Sequence, residues 1–208
     1  MKLARTLGLV TWGLEVQNLK AAQDRDLRGP GRTALKKVLG ELEQKLGPKA
    51  RRDLAILRLL HDLGLRRGEV VSLDLEHVDI ATGSLAVLGK GRTGRESLSL
   101  PSKTLAVLRS WLEVRGGEHG PLFTNFDRAR KGSRLTGTGI YRLTRGLGLG
   151  RPHGLRHAAI TEALDLMAGD VRKVQRFSRH RDLRVLNFYD DSRQDFAGQV
   201  AKAVAANL

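Results

Sequence analysis

Cysteine is absent from the 208 residues, which excludes disulfides and thiolate metal sites. No apolar run approaches the length of a membrane-spanning helix. The N-terminal "MKLARTLGLVTWGLEV" has a faint look of a signal peptide, but Thr11 breaks its apolar run and Glu15 closes it. No small-residue cleavage pattern follows, so the expected location is cytoplasmic. Aromatic residues make up only 4% of the chain, and two of them are tyrosines, Tyr141 and Tyr189. Acidic residues are scarce beside basic ones, 22 Asp and Glu against 37 Lys and Arg, for a net charge of +15. Positive charge of that size is commonly met by a polyanion, and nucleic acid is the first candidate.

What is present is a soluble globular composition, 40% hydrophobic and 28% charged, long enough for one large domain or one domain with an arm. "RDLRGPGR" (Arg25 to Arg32) reads as a linker. "TALKKVLGELEQKLG" then has helical period, with Leu35, Val38, Leu39, Leu42 and Leu46 on one side. Gly47 reads as its stop and Pro48 as the start of the next helix. That helix, "KARRDLAILRLLHDLG", carries so broad an apolar face that it should lie at the centre of the core. After "LRRGEVVSLDLEHVD" the period changes. "HVDI", "SLAVLG" and "RESLSL", separated by "ATG" and "KGRTG", read as two β-hairpins of a small antiparallel sheet. Helical patterns resume with "SKTLAVLRSWLEVR", capped by Ser102. They continue through "TGTGIYRLTRGLG", "GLRHAAITEALDLM", "DVRKVQRFS", "LRVLNFY" and "RQDFAGQVAKAVAANL". The expected fold class is α+β, predominantly α-helical, with a small antiparallel β-sheet inserted between helices.

Several polar residues are not required by such a core. Arg66 ends a strongly apolar helix, where a guanidinium is costly unless paired. Glu69 reaches it if the segment turns helically, as a site pair or as an ordinary surface pair. Lys90 lies at the tip of the second hairpin between Gly89 and Gly91, as a basic turn or as a residue brought close to something. "GKGRTG" is not a phosphate-binding loop of the Walker type, because no Gly-Lys-Ser/Thr ending leads into a helix. In "PHGLRHAAIT", His153 and Arg156 share a face if both lie on the first helical turn, and clustered donors suit an oxyanion better than a cation. His153 and His157 have zinc-ligand spacing, but the Glu of a zincin and a third ligand are missing, so no metal site is assigned. His180 precedes Tyr189 by nine residues in "HRDLRVLNFYDDSR". Taken locally, that tyrosine reads as a packing residue at a helix edge beside Leu183, Leu186 and Phe188.

In order, these residues resemble the catalytic domain of the tyrosine recombinase (phage integrase) family, over roughly Thr33 to the C-terminus. "GLRRGEVVSLDLEHVD" resembles its first box and "GKGRTGRESLSLP" its lysine hairpin. "HGLRHAAIT" resembles its His-x-x-Arg box, and "RHRDLRVLNFYDD" its His-to-tyrosine segment. The resemblance implies transesterification at a DNA phosphodiester, with Tyr189 as nucleophile and a covalent 3′-phosphotyrosine that needs no cofactor to reseal. It implies Arg66 and Arg156 as clamps on the non-bridging oxygens and Lys90 as general acid to the 5′-oxygen. His153 would assist proton transfer or hold the phosphate, and His180 would hydrogen-bond it. Glu69 is expected to orient Arg66, and His157 to support the site from behind. From Asp127 to Arg156 there are eight Lys or Arg residues and one acidic residue. Arg130, Lys131, Arg134, Arg142 and Arg145 of that stretch, with Arg92 of the hairpin, are the expected DNA contacts.

The implied partner is double-stranded DNA rather than a small molecule or a membrane, in a DNA-associated protein of prokaryotic or phage origin. Residues 1–32 are expected to be a linker and arm, too short for the family's N-terminal DNA-clamping domain, as in an excised domain or a naturally short protein. Residues 33–208 are the expected catalytic domain. Its terminal segment 193–208 carries the stripe Phe196, Val200 and Val204, suited to packing on its own domain or on a neighbouring copy. Two other readings share the pattern: a type IB topoisomerase-like relaxing enzyme, and a non-catalytic DNA-binding remnant of the fold.

Overall fold

The computed structural model describes residues 6–8, 29–89, 91–180, 182, 186 and 196–206. Lys90 and Tyr189 therefore lie outside the described residues, as do Leu183 and Phe188. The first described helices are α1 (Arg32–Gln44), α2 (Pro48–Asp62) and the short α3 (Arg67–Val71). Three strands follow: β1 (Val78–Asp79), β2 (Ser84–Leu88) and β3 (Arg95–Ser99). Then come α4 (Ser102–Arg115), α5 (Gly137–Gly146), α6 (Pro152–Leu166), α7 (Val171–Ser178) and α8 (Phe196–Ala206). Among the described residues, no helix is long and apolar enough to cross a membrane.

The sheet is antiparallel in the order β1-β2-β3, with Val78 opposite Leu85 and Val87 opposite Glu96. The two expected hairpins are there. Strand alternation sends Leu85 and Val87 into the core while Arg95, Ser97 and Ser99 face solvent. The β2–β3 pair thus rests on the core by one face only.

Helix α2 is the core's axis. Ala55, Ile56, Leu57, Leu59 and Leu60 are all 0% exposed, each large one contributing roughly 1.5–3 kcal/mol of gross burial. It packs against α1, α4 and α6. Trp111 of α4 seals this core, donating its indole N–H to the Leu122 carbonyl at 3.0 Å and stacking on Phe123. A second cluster, Ile160, Leu164, Val174 and Leu186, joins α6 to α7. Leu186 is thereby the packing residue expected of it.

Three local expectations are corrected. Gly47 does not stop α1, which ends at Gln44; it is the N-cap of α2, with φ 130, and Pro48 is the first helical residue. Leu46, counted on the apolar side of α1, lies past its end and is 94% exposed. Ser102 is the first residue of α4 rather than its cap. Pro101 holds the cap position, and no side chain caps the helix.

Candidate active site

The turn between α2 and α3 begins the site. Gly64 there has φ 55, and a Cβ on it would lie 3.2 Å from the Phe177 ring. Only glycine suits both conditions, since the left-handed region penalises any side chain. The turn delivers Arg66 to the N-cap of α3 in extended conformation. From N3 of the helix, Glu69 reaches back: its Oε2 accepts from the Arg66 backbone N–H at 2.8 Å and its Oε1 from Arg66 Nη1 at 2.7 Å. This is the reverse half of a capping box. It settles the expected Arg66–Glu69 contact, with a carboxylate only 3% exposed.

Helix α6 supplies the opposite wall. Arg151 is its N-cap and Pro152 its first residue, and His153 and Arg156, three residues apart, both line the cleft from it. Arg156 is 1% exposed. Its Nη1 donates to the Gly64 carbonyl and its Nη2 to the Ser178 carbonyl, with His180 Nε2 3.2 Å from Nη2. One guanidinium therefore ties the α2–α3 turn, α6 and the end of α7 together. As arginine is always a donor, His180 Nε2 is the acceptor in that contact and the neutral ring carries its proton on Nδ1.

Arg66, Arg67, Gly68, Tyr141, Arg151, Pro152, His153 and Arg156 line one cleft of about 440 Å³. Its electrostatics are those of an anion site. Burial, then Arg156 and Arg66, lower the pKa of His153 below its ordinary value. Burial first, then Arg156, Arg66, His153 and Arg179, lower that of His180 to about 4. Both imidazoles are consequently neutral at pH 7, and so available to accept a proton or a hydrogen bond. Burial pushes the Glu69 carboxyl up, but the Arg66 N–H, Arg179 and the Arg66 guanidinium outweigh it and hold the pKa below the usual value. Glu69 stays charged.

The fold gathers Arg66, Glu69, His153, Arg156 and His180 in one place. It puts His157 elsewhere, lining a separate hollow with Gly29, Pro30, His61 and Thr161, 3.4 Å from the Thr161 hydroxyl. Of the expected DNA contacts, Arg130 and Arg142 border a wide cleft with Lys49 and Arg52, and Lys131 and Arg145 are exposed. Arg92 pairs with Glu96 at 3.3 Å. Arg134 is engaged within the fold, donating to the Val71 and Leu73 carbonyls and to Asp74. Among the described residues, the grouping of His, Asp and Glu compact enough for an ion is Asp74, Glu76 and His77. Two of its members are already engaged, Asp74 by Arg134 and His77 Nδ1 by the Asp74 N–H.

Sequence reasoning missed Tyr141, Arg67 and Arg151 in the cleft wall, and missed Arg179. Arg179 is 8% exposed and adopts a left-handed conformation, φ 55 and ψ 33, at the C-cap of α7. Its only trace in the sequence is a second basic residue immediately before His180; periodicity says nothing of where a guanidinium beyond a helix end will turn.

Comparison with known proteins agrees with this geometry. The profile of the phage integrase family matches residues 33–195. The chain belongs to the phage integrase family. It is a tyrosine recombinase catalytic domain, and so an enzyme of the DNA breaking-and-rejoining class. It is 39% identical to Tyrosine recombinase slr0733 of Synechocystis sp., over 97% of this chain and 67% of that one. Tyrosine recombinase XerC of Pseudomonas putida is 38% identical over 67% of this chain and 48% of its own length. The chain thus spans from about half to about two thirds of these relatives. Among solved structures, the fold resembles XerA recombinase, with a TM-score of 0.65 at 20% identity over 87% of this chain and 66% of that one. It also resembles XerH site-specific recombinase bound to palindromic difH substrate, with a TM-score of 0.67 at 20% identity over 88% of this chain and 55% of that one.

Proposed function

We propose that this chain performs the strand cleavage and rejoining of a site-specific recombinase on double-stranded DNA. The observation that carries the reading is the convergence of Arg66, His153 and Arg156 on one cationic cleft, with His180 held against Arg156 from a third part of the chain. A phosphodiester seated there meets the partly open guanidinium of Arg66 directly, with the buried positive charge of Arg156 in the wall beside it. That is the charge stabilisation phosphoryl transfer chiefly requires. Tyr189 Oη attacks phosphorus and its proton passes to neutral His153. The P–O bond to the 5′-oxygen breaks, and Lys90 protonates that oxygen as it leaves. A 3′-phosphotyrosine and a free 5′-hydroxyl result, and attack by a 5′-hydroxyl reverses the sequence without any external energy source. The roles of Tyr189 and Lys90 rest on their sequence boxes, since both lie outside the described residues.

Residues 33–208 form the catalytic unit of this reading, in a cytoplasmic, DNA-associated protein, with residues 1–32 as its linker and arm. The C-terminal helix, where Val204 is 60% exposed, docks on a neighbouring copy on DNA.

Two substrates test the chemistry. A nicked duplex that loses its 5′-fragment on cleavage should trap a covalent adduct, and Arg66→Ala should lower the rate of its formation by about 100-fold or more. Lys90→Ala should slow cleavage strongly on ordinary DNA and far less where the leaving atom is a 5′-sulfur, because a thiolate leaves without a proton. Equal defects on both substrates would contradict the general-acid role.

A further inference from the structure

Arg179 makes four hydrogen bonds from a backbone conformation that favours glycine. Its Nη1 donates to the carbonyls of Leu63 and Phe177, each at 3.1 Å. Its Nη2 donates to the Gly64 carbonyl at 3.4 Å and to Glu69 Oε2 at 3.0 Å. Glu69 and Arg179 are 3% and 4% exposed in their side chains, so their contact is dry and the attraction is little screened. The same carboxylate holds Arg66 by its other oxygen. A buried Glu69 facing Arg66 alone would neutralise that guanidinium and draw it inward. With two guanidiniums sharing one carboxylate, the trio keeps a net positive charge, and Arg66, the most exposed member at 28%, is the one that faces the cleft.

We infer that Arg179 is a positioning residue for the cleavage reaction. It occupies the Glu69 carboxylate so that Arg66 keeps its charge and direction toward the phosphate. It also fixes the α7 terminus so that the next residue, His180, meets Arg156. The inference rests on the proposed role of Arg66 at the phosphate. The left-handed backbone fits this view: a glycine would be unstrained there, and the side chain's bonds to Leu63, Gly64 and Glu69 give an arginine its reason. The lowered pKa of Glu69, to which Arg179 contributes, agrees with a carboxylate held charged between two cations.

Two uncharged variants separate backbone from guanidinium. Arg179→Gly relaxes the strained backbone and removes the cation, whereas Arg179→Met removes the cation and keeps most of the volume. DNA affinity, melting temperature and single-turnover adduct formation on the nicked duplex are measured for each, beside Arg66→Ala and Tyr189→Phe. The expected result is unchanged DNA affinity with cleavage slowed about 10- to 100-fold, by analogy with loss of the residue that orients a metal ligand. Arg179→Lys should recover part of the rate, because one ammonium can still serve Glu69. Adding Arg179→Gly to Glu69→Gln should slow cleavage little further, since without the carboxylate's charge there is nothing left for the cation to hold. A folded Arg179→Gly or Arg179→Met that cleaves at the wild-type rate overturns the inference, and so does full multiplication of the two defects. Failure of both variants to fold also overturns it, making Arg179 a fold-stability residue. If Arg66→Ala and Tyr189→Phe themselves cleave normally, it is the underlying reading that has failed.

Discussion

Arginine is used here in two opposite ways within one site. Arg156 is almost wholly buried and commits its terminal nitrogens to main-chain carbonyls and to His180, whereas Arg66 keeps a partly open face. The first builds the wall and the second greets the anion, a division that lysine, with one compact ammonium, cannot reproduce. The histidines answer to this charge. With a folded pKa of about 4 against an ordinary 6.5, His180 takes up its proton later than it would in the unfolded chain. Its contribution to stability is complete above about pH 6.5, falls as pH drops through that window, and is fully lost below about pH 4. Titration of the His180 ring followed by NMR should give a midpoint near 4 in the free protein. A phosphate in the cleft adds the opposite charge, so DNA should move that midpoint upward; a free-protein midpoint near the ordinary histidine value would contradict the geometry.

At the scale of elements, the short turn from α2 into α3 is where fold and site meet. It carries Gly64, whose carbonyl accepts from both Arg156 and Arg179 and whose Cα faces Phe177. Gly64→Ala should destabilise the protein by about 1–3 kcal/mol through its left-handed backbone, and more if Phe177 cannot yield. Urea unfolding measures this, and an unchanged midpoint would mean that the turn is not held as described. Much of this level was legible beforehand. The 3.6-residue period of "DLAILRLL" gave the central helix, and the switch to alternation in "SLAVL" gave the sheet. The reach of Glu69 to Arg66 followed from a spacing of three. What was not legible depended on contacts between distant segments. Arg179 finds partners more than a hundred residues away, and no local pattern encodes that. His157 has metal-like spacing and still belongs to another hollow, the one that Gly29 and Pro30 form against α6.

Across the whole molecule, the dominant quantity is the net charge of +15, and the described structure shows that it is not one undivided patch. Arg134 pins its own loop, whereas Arg130 and Arg142 stand at the rim of an open cleft. Arg142→Gln should therefore weaken DNA binding and reduce the log–log salt slope by about 1, as loss of one phosphate contact does. Arg134→Gln should lower the melting temperature more and the salt slope less. The reverse ranking, read by anisotropy titrations over a salt series, would show that the basic face has been misassigned.

In the proposed reaction Tyr189 becomes covalently joined to DNA at a phosphate seated against Arg66 in the cleft. The most direct measurement is peptide mapping by mass spectrometry of the adduct trapped on the nicked duplex, alongside the Tyr189→Phe variant. A phosphotyrosyl-linked nucleotide is expected on the peptide containing Tyr189, and no adduct from Tyr189→Phe. An adduct on any other residue, or one that survives Tyr189→Phe, would contradict it.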